Sequence, residues 1–483
     1  MRKGFTRKIE PIRILNDLQI EELHKSTLEI LETTGVKYES KRALKLFEES
    51  GCNVDHESRI VKFPGYLVEE SIRTAPSSFR VKGRFPEDDM RFGGNTLYFM
   101  PAAGAKLHDV KTGELSVATL DENNKGVLIC DALESVDFQA SYCPFFEIKD
   151  IEPVMLLPES QASISRYSTR VSRGAQATDS FIWESMLANA VGKQLIGTIE
   201  GAAPLSFPED AINACFEYMD NGFPIWATGG SVMGGSSPVT VAGATVSNSA
   251  EILSTVVLIQ SYRPGHPVLA NDFVIPMDME SGNLFFGALG SGFHQMAFNQ
   301  IWKDFYRIPT SNAMAAFPNS KLIDYQNAFE KTHLAMTAAL SGANMIAFLG
   351  SVSQELAWSP IQAIIDNDSV QIIGKYIEGF EINDRTLAMD LIKEVGPSPG
   401  TFLGKNHTRK NWKKEYYVPK VFDRLSYQDW SATGQKSVID KAKERMEEIL
   451  ETFKPTPVTA GQDRDIKKIL KEARKYYKDN GLL

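Results

Sequence analysis

The chain has 483 residues, of which 43% are hydrophobic and 23% charged, with 35 glycines, 23 prolines and a formal net charge of −9. This composition is typical of a folded enzyme and excludes a disordered or fibrous protein. The negative charge argues against a nucleic-acid ligand, because nucleic-acid binding relies on clustered lysine and arginine.

The first residues, MRKGFTRKIEPIRIL, are basic but have no apolar segment behind them, and we expect no apolar run to reach the length of a membrane span. We therefore expect a cytoplasmic protein that makes no membrane contact. No two histidines stand four residues apart, so no metal site is expected. The cysteines show no C-x-x-C or Cys/His spacing, and we expect buried reduced thiols at Cys52, Cys130, Cys143 and Cys215.

Residues 1–96 are predicted to form helices followed by β-hairpins. Apolar residues recur at helical spacing in LNDLQIEELHKSTLEILETTGV and in SKRALKLFEESG, which end at Gly35 and Gly51. From Phe79 the pattern changes to short strands interrupted by glycine and proline. This region is an N-terminal extension of the main domain.

Residues 97–379 are predicted to form a parallel (β/α)8 barrel of the TIM type. Short apolar runs alternate with helical segments, and an eightfold alternation favours a closed barrel, with an open doubly wound sheet as the alternative. One helix is expected to begin with Ser237 as its N-cap and Pro238 in its first turn. The apolar runs begin at Leu97, Phe138, Arg173, Leu195, Phe223, His266, Ile308 and Ala343.

Residues 380–483 are predicted to be a C-terminal segment that ends in charged helices and packs on the barrel or on a second subunit. In a barrel of this kind, function lies at the carboxyl ends of the strands. The segments expected there are rich in glycine, alanine and aromatic residues and poor in His, Cys and Glu. Lys321 is the best candidate there for a Schiff base, although a solvated loop lysine is the more ordinary interpretation.

Several segments resemble the trimethylamine methyltransferase superfamily: YFMPAAGA, LSGANMIAFLG, AWSPIQAIIDND and VGPSPGTFLGKNHTRKNWKKEYYVPKVFDRLSYQDW. The resemblance implies a barrel that presents a methylated amine to the cob(I)alamin of a small corrinoid protein. Archetypal members carry a pyrrolysine in the barrel mouth, whereas this sequence contains only ordinary residues. The resemblance therefore implies the pyrrolysine-lacking branch and a quaternary amine, with glycine betaine first and proline betaine or carnitine as alternatives.

A quaternary ammonium is held well by aromatic faces, at about 0.5–2 kcal/mol for each ring. We expect such a cage from aromatic residues at the strand ends and a counter-charge from Asp272. Core packing for each ring, and a capping role for Asp272, are the ordinary alternatives. The candidate rings are Tyr98, Phe146, Phe273, Phe317 and Trp358.

The substrate carboxylate needs hydrogen-bond donors, and the candidates are Asn319, Ser320, Lys321 and His407. The run GGSVMGGSS is predicted to form a shelf free of side chains that a corrin ring can approach, or otherwise a turn without a ligand. Its predicted contact residues are Gly230, Ser231, Gly234, Gly235 and Ser236.

Two other functions stay open at the level of the sequence. The first is a Schiff-base or acid/base barrel lyase that uses Lys321. The second is a non-catalytic subunit that binds betaine or a corrinoid protein. For any of the three functions we expect a homo-oligomer.

Overall fold

The structure, a computed structural model, describes residues 1–141 and 144–483. Cys143 lies outside these residues, and the other three cysteines are buried free thiols. Before residue 96, three helices alternate with short strands. These elements are β1 (Phe5–Thr6), α1 (Asp17–Thr33), β2 (Val36–Tyr38), α2 (Lys41–Glu49), β3 (Asn53–Asp55), β4 (Ile60–Lys62), α3 (Gly65–Thr74), β5 (Ser78–Val81) and β6 (Met90–Gly93).

The middle of the chain alternates strands and helices as the sequence predicts. Its elements are β7 (Thr96–Pro101), β8 (Lys106–His108), β9 (Leu115–Ser116), α4 (Leu120–Ala132), α5 (Leu156–Tyr167), β10 (Ser172–Gly174), α6 (Ser180–Ala190), β11 (Leu195–Glu200), β12 (Ser206–Phe207), α7 (Glu209–Asp220), β13 (Ile225–Thr228), β14 (Val232–Met233), α8 (Val241–Tyr262), β15 (Val268–Asp272), β16 (Ile275–Pro276), α9 (Leu289–Asn299), β17 (Thr310–Asn312), α10 (Tyr325–Ser341), β18 (Met345–Leu349), β19 (Ser351–Val352), β20 (Ala357–Trp358) and α11 (Pro360–Glu378).

A curled eight-stranded sheet forms the centre of this α/β fold, in the order β1-β7-β18-β17-β15-β13-β11-β10. Strand β1 is antiparallel to β7, and all other neighbours are parallel. Seven of the eight predicted apolar runs supply these parallel strands. The parallel arrangement brings the carboxyl ends of the strands to one edge of the sheet.

The described residues of the predicted run at Phe138 form no strand of the sheet but two isolated bridges, between Gln139 and Ser172 and between Phe145 and Gly104. The backbone at this point nevertheless bonds to β7 and to the residue before β10, which are the first and last strands of the parallel part of the sheet. The amide of Asp137 donates to Phe99 of β7 at 2.9 Å, and the amide of Gln139 donates to Val171, just before β10, at 3.0 Å. The segment thus lies between β7 and β10, the two ends of the parallel part of the curled sheet.

Helix α8 begins three residues later than the sequence suggests. Its N-cap is Thr240, whose hydroxyl accepts from the amide of Gly243, while Ser237 and Pro238 belong to the preceding turn. The helix is long and apolar enough to cross a membrane, contrary to the expectation that no segment would be. However, 78% of its most apolar window is buried inside the structure, where α1, α2 and α3 pack against it. It is a core helix of this fold.

The C-terminal part forms α12 (Asp384–Leu387), α13 (Met389–Val395), α14 (Asn406–Glu415), α15 (Tyr427–Ala432), α16 (Val438–Thr452) and α17 (Ala460–Asp479). Helix α16 packs on α11 and α4, and α17 packs on α5 and α6. Residues 380–436, which we call the C-terminal arm, are much more exposed than these two helices. In this fully described segment Val421 is the one buried residue. The boundaries proposed at residues 96/97 and 379/380 stay predictions.

Candidate functional site

A cavity of about 290 Å³ lies at the carboxyl ends of the parallel strands. This volume is at the lower end of the range for small-molecule sites and suits a ligand of few atoms. Its wall combines small apolar residues, aromatic rings and a few charged or polar groups. The lining residues are Met100, Pro101, Ala102, Ala103, Ala140, Phe146, Arg173, Thr198, Glu200, Trp226, Thr228, Asn271, Phe273, Ala313, Phe317, Ala347 and Glu355.

Three of the predicted cage residues, Phe146, Phe273 and Phe317, lie on this wall. Phe273 directly follows β15, and its ring meets that of Phe317 edge to face, with centroids 6.4 Å apart. The ring of Phe286 also meets that of Phe317 edge to face, with centroids 5.9 Å apart. The arrangement leaves ring surface available to a cation in the cavity.

Two predicted cage residues are not on the cavity wall. Tyr98 lies near the amino end of β7, where its hydroxyl accepts from the amide of Arg91 at 3.2 Å. Trp358 is fully buried in β20, and its indole N–H donates to the carbonyl of Leu349 at 3.2 Å. For both residues the ordinary alternative of core packing describes the observed contacts. Among the described lining residues, Trp226, inside β13, is the aromatic residue that the sequence prediction omitted.

Two glutamates face the cavity, although the strand ends were expected to be poor in acids. Glu200 is the last residue of β11, and Glu355 lies in the turn between β19 and β20. Gln176 fixes the backbone at Glu200, since its side-chain oxygen accepts from the Glu200 amide at 2.7 Å and its nitrogen donates to the Glu200 carbonyl at 2.9 Å. Glu200 could have been found as the residue that ends the strand in LIGTIEG.

The two carboxyl groups are both shifted towards their neutral forms. Burial, and after it the charge of Glu200, raise the pKa of Glu355 to about 7 against the opposing effect of Arg173. Burial also raises the pKa of Glu200, again against the effect of Arg173. A bound cation would therefore favour the ionised form of these carboxyl groups and so change the charge of the cavity.

Asp272 does not face the cavity. It is the last residue of β15, and its carboxylate points to α9, where it accepts from Nδ1 of His294 at 2.7 Å. It also accepts from the side-chain amide of Asn312 at 3.2 Å. Because alternate residues of a strand face opposite sides, its neighbour Asn271 lies on the cavity wall instead.

None of the predicted carboxylate donors lies on the cavity wall. Asn319 accepts from Gln354 at 2.6 Å, and Ser320 donates to Asp324 at 2.8 Å. Lys321 is exposed and bonds to the carbonyl of Asn319 at 2.5 Å. His407, in α14, bonds to the carbonyl of Arg385 at 3.2 Å and so helps to order the C-terminal arm.

The glycine run folds into a closed turn rather than a bare shelf. The amide of Gly234 donates to the carbonyl of Ser237, and that of Gly235 donates to Val232. The hydroxyl of Ser236 accepts from the amide of Val232. The amides of Gly234 and Gly235 are therefore already used within the turn.

The space beside these glycines is also filled. A Cβ at Gly234 would lie 2.8 Å from the sulfur of Met279, and one at Gly235 would lie 2.9 Å from the methyl carbon of Met277. The ends of two flexible methionine side chains thus lie against the turn, and the corrin-contact role of the run stays a prediction. Ser231 is fully buried, and its hydroxyl lies 3.4 Å from the carboxylate of Glu251.

Gly230 lies beside Glu200 of the cavity wall. Its φ of +95° favours glycine, and a Cβ there would lie 3.4 Å from Oε1 of Glu200. The backbone conformation therefore favours glycine here, and a Cβ would make only an ordinary contact with the glutamate. Across residues 1–141 and 144–483, no cluster of three or more His, Cys, Asp or Glu side chains is arranged to bind a metal ion.

Comparison with known proteins gives a consistent result. A trimethylamine methyltransferase MttB from Desulfitobacterium hafniense strain DCB-2 is 30% identical over 478 residues, covering 96% of this chain and 94% of its own. A glycine betaine methyltransferase from Desulfitobacterium hafniense strain Y51 is 28% identical over 453 residues, covering 92% and 93%. The solved monomethylamine methyltransferase of Methanosarcina barkeri covers 99% of this chain and 96% of its own, at 15% identity and a TM-score of 0.49. The family model for trimethylamine methyltransferases matches residues 1–476, and the chain belongs to this family.

Proposed function

We propose that this protein transfers a methyl group from a betaine-type quaternary amine to a corrinoid carried by a partner protein. The observation that carries this proposal is the cavity in which Phe146, Phe273 and Phe317 stand beside Glu200 and Glu355. Aromatic faces and carboxylates are the groups that bind a permanently charged N-methyl head. Glycine betaine is the first choice of substrate, and proline betaine and carnitine are the alternatives.

A quaternary amine also suits the chemistry of the site. The leaving group is a neutral tertiary amine, so departure of the methyl group requires no activating adduct. Positioning of the methyl carbon and exclusion of water then supply the catalysis. The corrinoid is the methyl acceptor in this reaction and belongs to the partner.

The partner is proposed to dock over the strand ends, where a second, open cavity of about 750 Å³ adjoins the first. Gln354 lines this outer cavity and its neighbour Glu355 lines the inner one. Leu284, Phe285 and Leu356 are exposed there. Such an apolar surface beside a ligand cavity is typical of a protein-binding site.

Two structural proposals accompany this function. The curled sheet is proposed to be a closed (β/α)8 barrel, in which the segment around Gln139 is the eighth strand; its bonds to both ends of the sheet support this. The C-terminal arm is proposed to bind a second copy of the chain. It exposes apolar residues such as Phe380 and Leu403 together with a basic helix, NHTRKNWKKE, on a chain of net charge −9.

A tertiary amine is the competing substrate, since the relative at 30% identity and several others are named for trimethylamine. A Schiff-base lyase is less well supported, because Lys321 is exposed and not on the wall of the inner cavity.

The test incubates the protein with free cob(I)alamin and a panel of quaternary and tertiary amines, and follows the loss of the cob(I)alamin absorbance. We expect turnover with glycine betaine and little with trimethylamine. Preferential turnover of trimethylamine would overturn the quaternary-amine proposal. No turnover with any amine, together with borohydride trapping of a carbonyl compound on Lys321, would favour the lyase.

A further inference from the structure

Among the described residues that line the cavity, one side chain is positive; its charge acts on Glu200 and Glu355 but forms no ion pair with either. Arg173, in β10, is half-buried, and its Nε donates to the hydroxyl of Ser141 at 2.9 Å. Its guanidinium carbon lies 5.3 Å from the centre of the Trp226 ring. Within the described ranges, no carboxylate forms an ion pair with Arg173. A guanidinium with free donors in a cavity of this size is a ready site for a planar anion.

Three further polar atoms on the same wall have no hydrogen-bond partner among the described residues. They are the hydroxyl of Thr198, the indole N–H of Trp226 and the side-chain oxygen of Asn271. All three side chains are at most 5% exposed. A buried polar atom without a partner costs about 1–3 kcal/mol, so several on one wall indicate a polar ligand group.

Strand register separates the donors of Thr198 and Trp226 from Glu200. Thr198 lies opposite Trp226, and Glu200 lies opposite Thr228, two residues nearer the carboxyl ends of the strands. The donors of Thr198 and Trp226 therefore lie deeper, whereas Glu200 lies at the mouth. Phe273, which follows the end of β15, is also at the mouth.

We propose that Arg173, Trp226 and Thr198 form a receptor at the cavity floor for the carboxylate of a zwitterionic quaternary amine, whose methylated ammonium group stays at the mouth. This inference rests on the proposed function and makes it narrower. It requires the substrate to carry a carboxylate, and it fixes the orientation of the substrate in the cavity. The methyl groups then face the side from which an acceptor approaches.

The test needs no corrinoid. Calorimetry measures the binding of glycine betaine and of choline, which has the same head group and a neutral hydroxyl, to the full chain. We expect betaine to bind roughly 10- to 100-fold more tightly than choline, as a charge-assisted pair to arginine allows. In Arg173→Met, betaine binding should weaken by roughly that factor while choline binding stays within about twofold.

Arg263→Met is the matched control, because Arg263 also lies over an aromatic ring, at 5.6 Å from the centre of Tyr262, but on the surface. It should change neither affinity. Thr198→Val is a second variant, which removes one donor with little change of shape. It should weaken the binding of betaine by roughly 5- to 10-fold and leave the binding of choline unchanged. This variant keeps the proposal testable if Arg173→Met fails to fold.

The inference is overturned if wild-type protein binds choline as tightly as betaine, if it binds neither, or if the folded variants weaken both ligands equally. Demethylation of choline without any preference for a carboxylate would overturn this inference but leave the proposed function in place. Conversely, betaine binding that depends on Arg173, with no methyl transfer from any quaternary amine, would support the receptor and overturn the proposed function.

Discussion

Glu355 and Glu200 share one cavity with Arg173, so the charge of that cavity depends on pH. The sequence predicted Phe146, Phe273 and Phe317 at the strand ends, because each is the last residue of a predicted apolar run, and all three lie on the cavity wall. It missed Trp226, which lies within a strand, and it included Trp358, which faces the core. The difference lies in which side of a strand each residue occupies, and that depends on the register of pairing between strands distant in sequence.

Affinity for a cationic substrate should rise with pH through the pKa of Glu355. Below about pH 7 the Glu355 carboxyl holds a proton, because burial and Glu200 raise its pKa to about 7 against the effect of Arg173. A bound cation favours the ionised form, so affinity should increase by up to about 10-fold between about pH 6 and about pH 8.

Calorimetric titrations of betaine at these pH values check this expectation. Glu355→Gln should bind more weakly above about pH 7 and lose most of the slope. An equal slope in wild type and variant would assign the titration to another group.

At the same scale, Tyr98 was a cage candidate from the sequence because no local pattern shows which end of β7 it occupies.

At the scale of elements, the alternation of apolar runs and helices was readable because each run is short, apolar and followed by a helical pattern. Seven runs became parallel strands. The run at Phe138 did not, since its pairing consists of a few bonds made with both ends of the sheet, which no local pattern specifies. The hairpin β19–β20, which carries Glu355, was not predicted either, because strands of two residues each are too short to show a pattern in the sequence.

Gly350, between β18 and β19, should tolerate no side chain. Its φ is +96°, and a Cβ would lie 2.0 Å from Nε1 of Trp358. Gly350→Ala should lower the free energy of unfolding by about 2–5 kcal/mol, through backbone strain and overpacking together. Gly434→Ala is the matched control, with φ of +92° and nothing within 4 Å of the new Cβ, and should cost about 1–2 kcal/mol.

Chemical denaturation of both variants measures the two changes, with circular dichroism to establish that each is folded. Equal losses would mean that Trp358 moves aside without cost. In that case the packing around β20 contributes little to holding Glu355 at the cavity.

At the scale of the whole molecule, the C-terminal arm has the surface of an interface. Phe380, Ile382, Leu403, Tyr416 and Tyr427 are each at least 70% exposed. The arm is nevertheless attached firmly at one point, since the carboxylate of Asp368 in α11 accepts from the amides of Lys420, Val421 and Phe422. An anchored segment with so much exposed apolar surface is expected to be covered in solution.

Light scattering should therefore give a mass that is a multiple of one chain, 53.7 kDa. The double variant Phe380→Asp with Leu403→Asp should shift the mass towards that of a single chain, because each new charge would be buried at the interface. Leu18→Asp, at a residue 76% exposed outside the arm, is the control and should leave the mass unchanged. A single-chain mass for the wild type would contradict a role of the arm in assembly.

Helix α8 is apolar enough to be mistaken for a membrane anchor, and its outer side is covered by α1, α2 and α3. Those three helices precede it in the chain. At about 5–20 residues per second, the ribosome releases them roughly 10 to 30 seconds before α8 emerges. The three helices that cover α8 are therefore synthesised before α8 can contact a bilayer or another nascent chain.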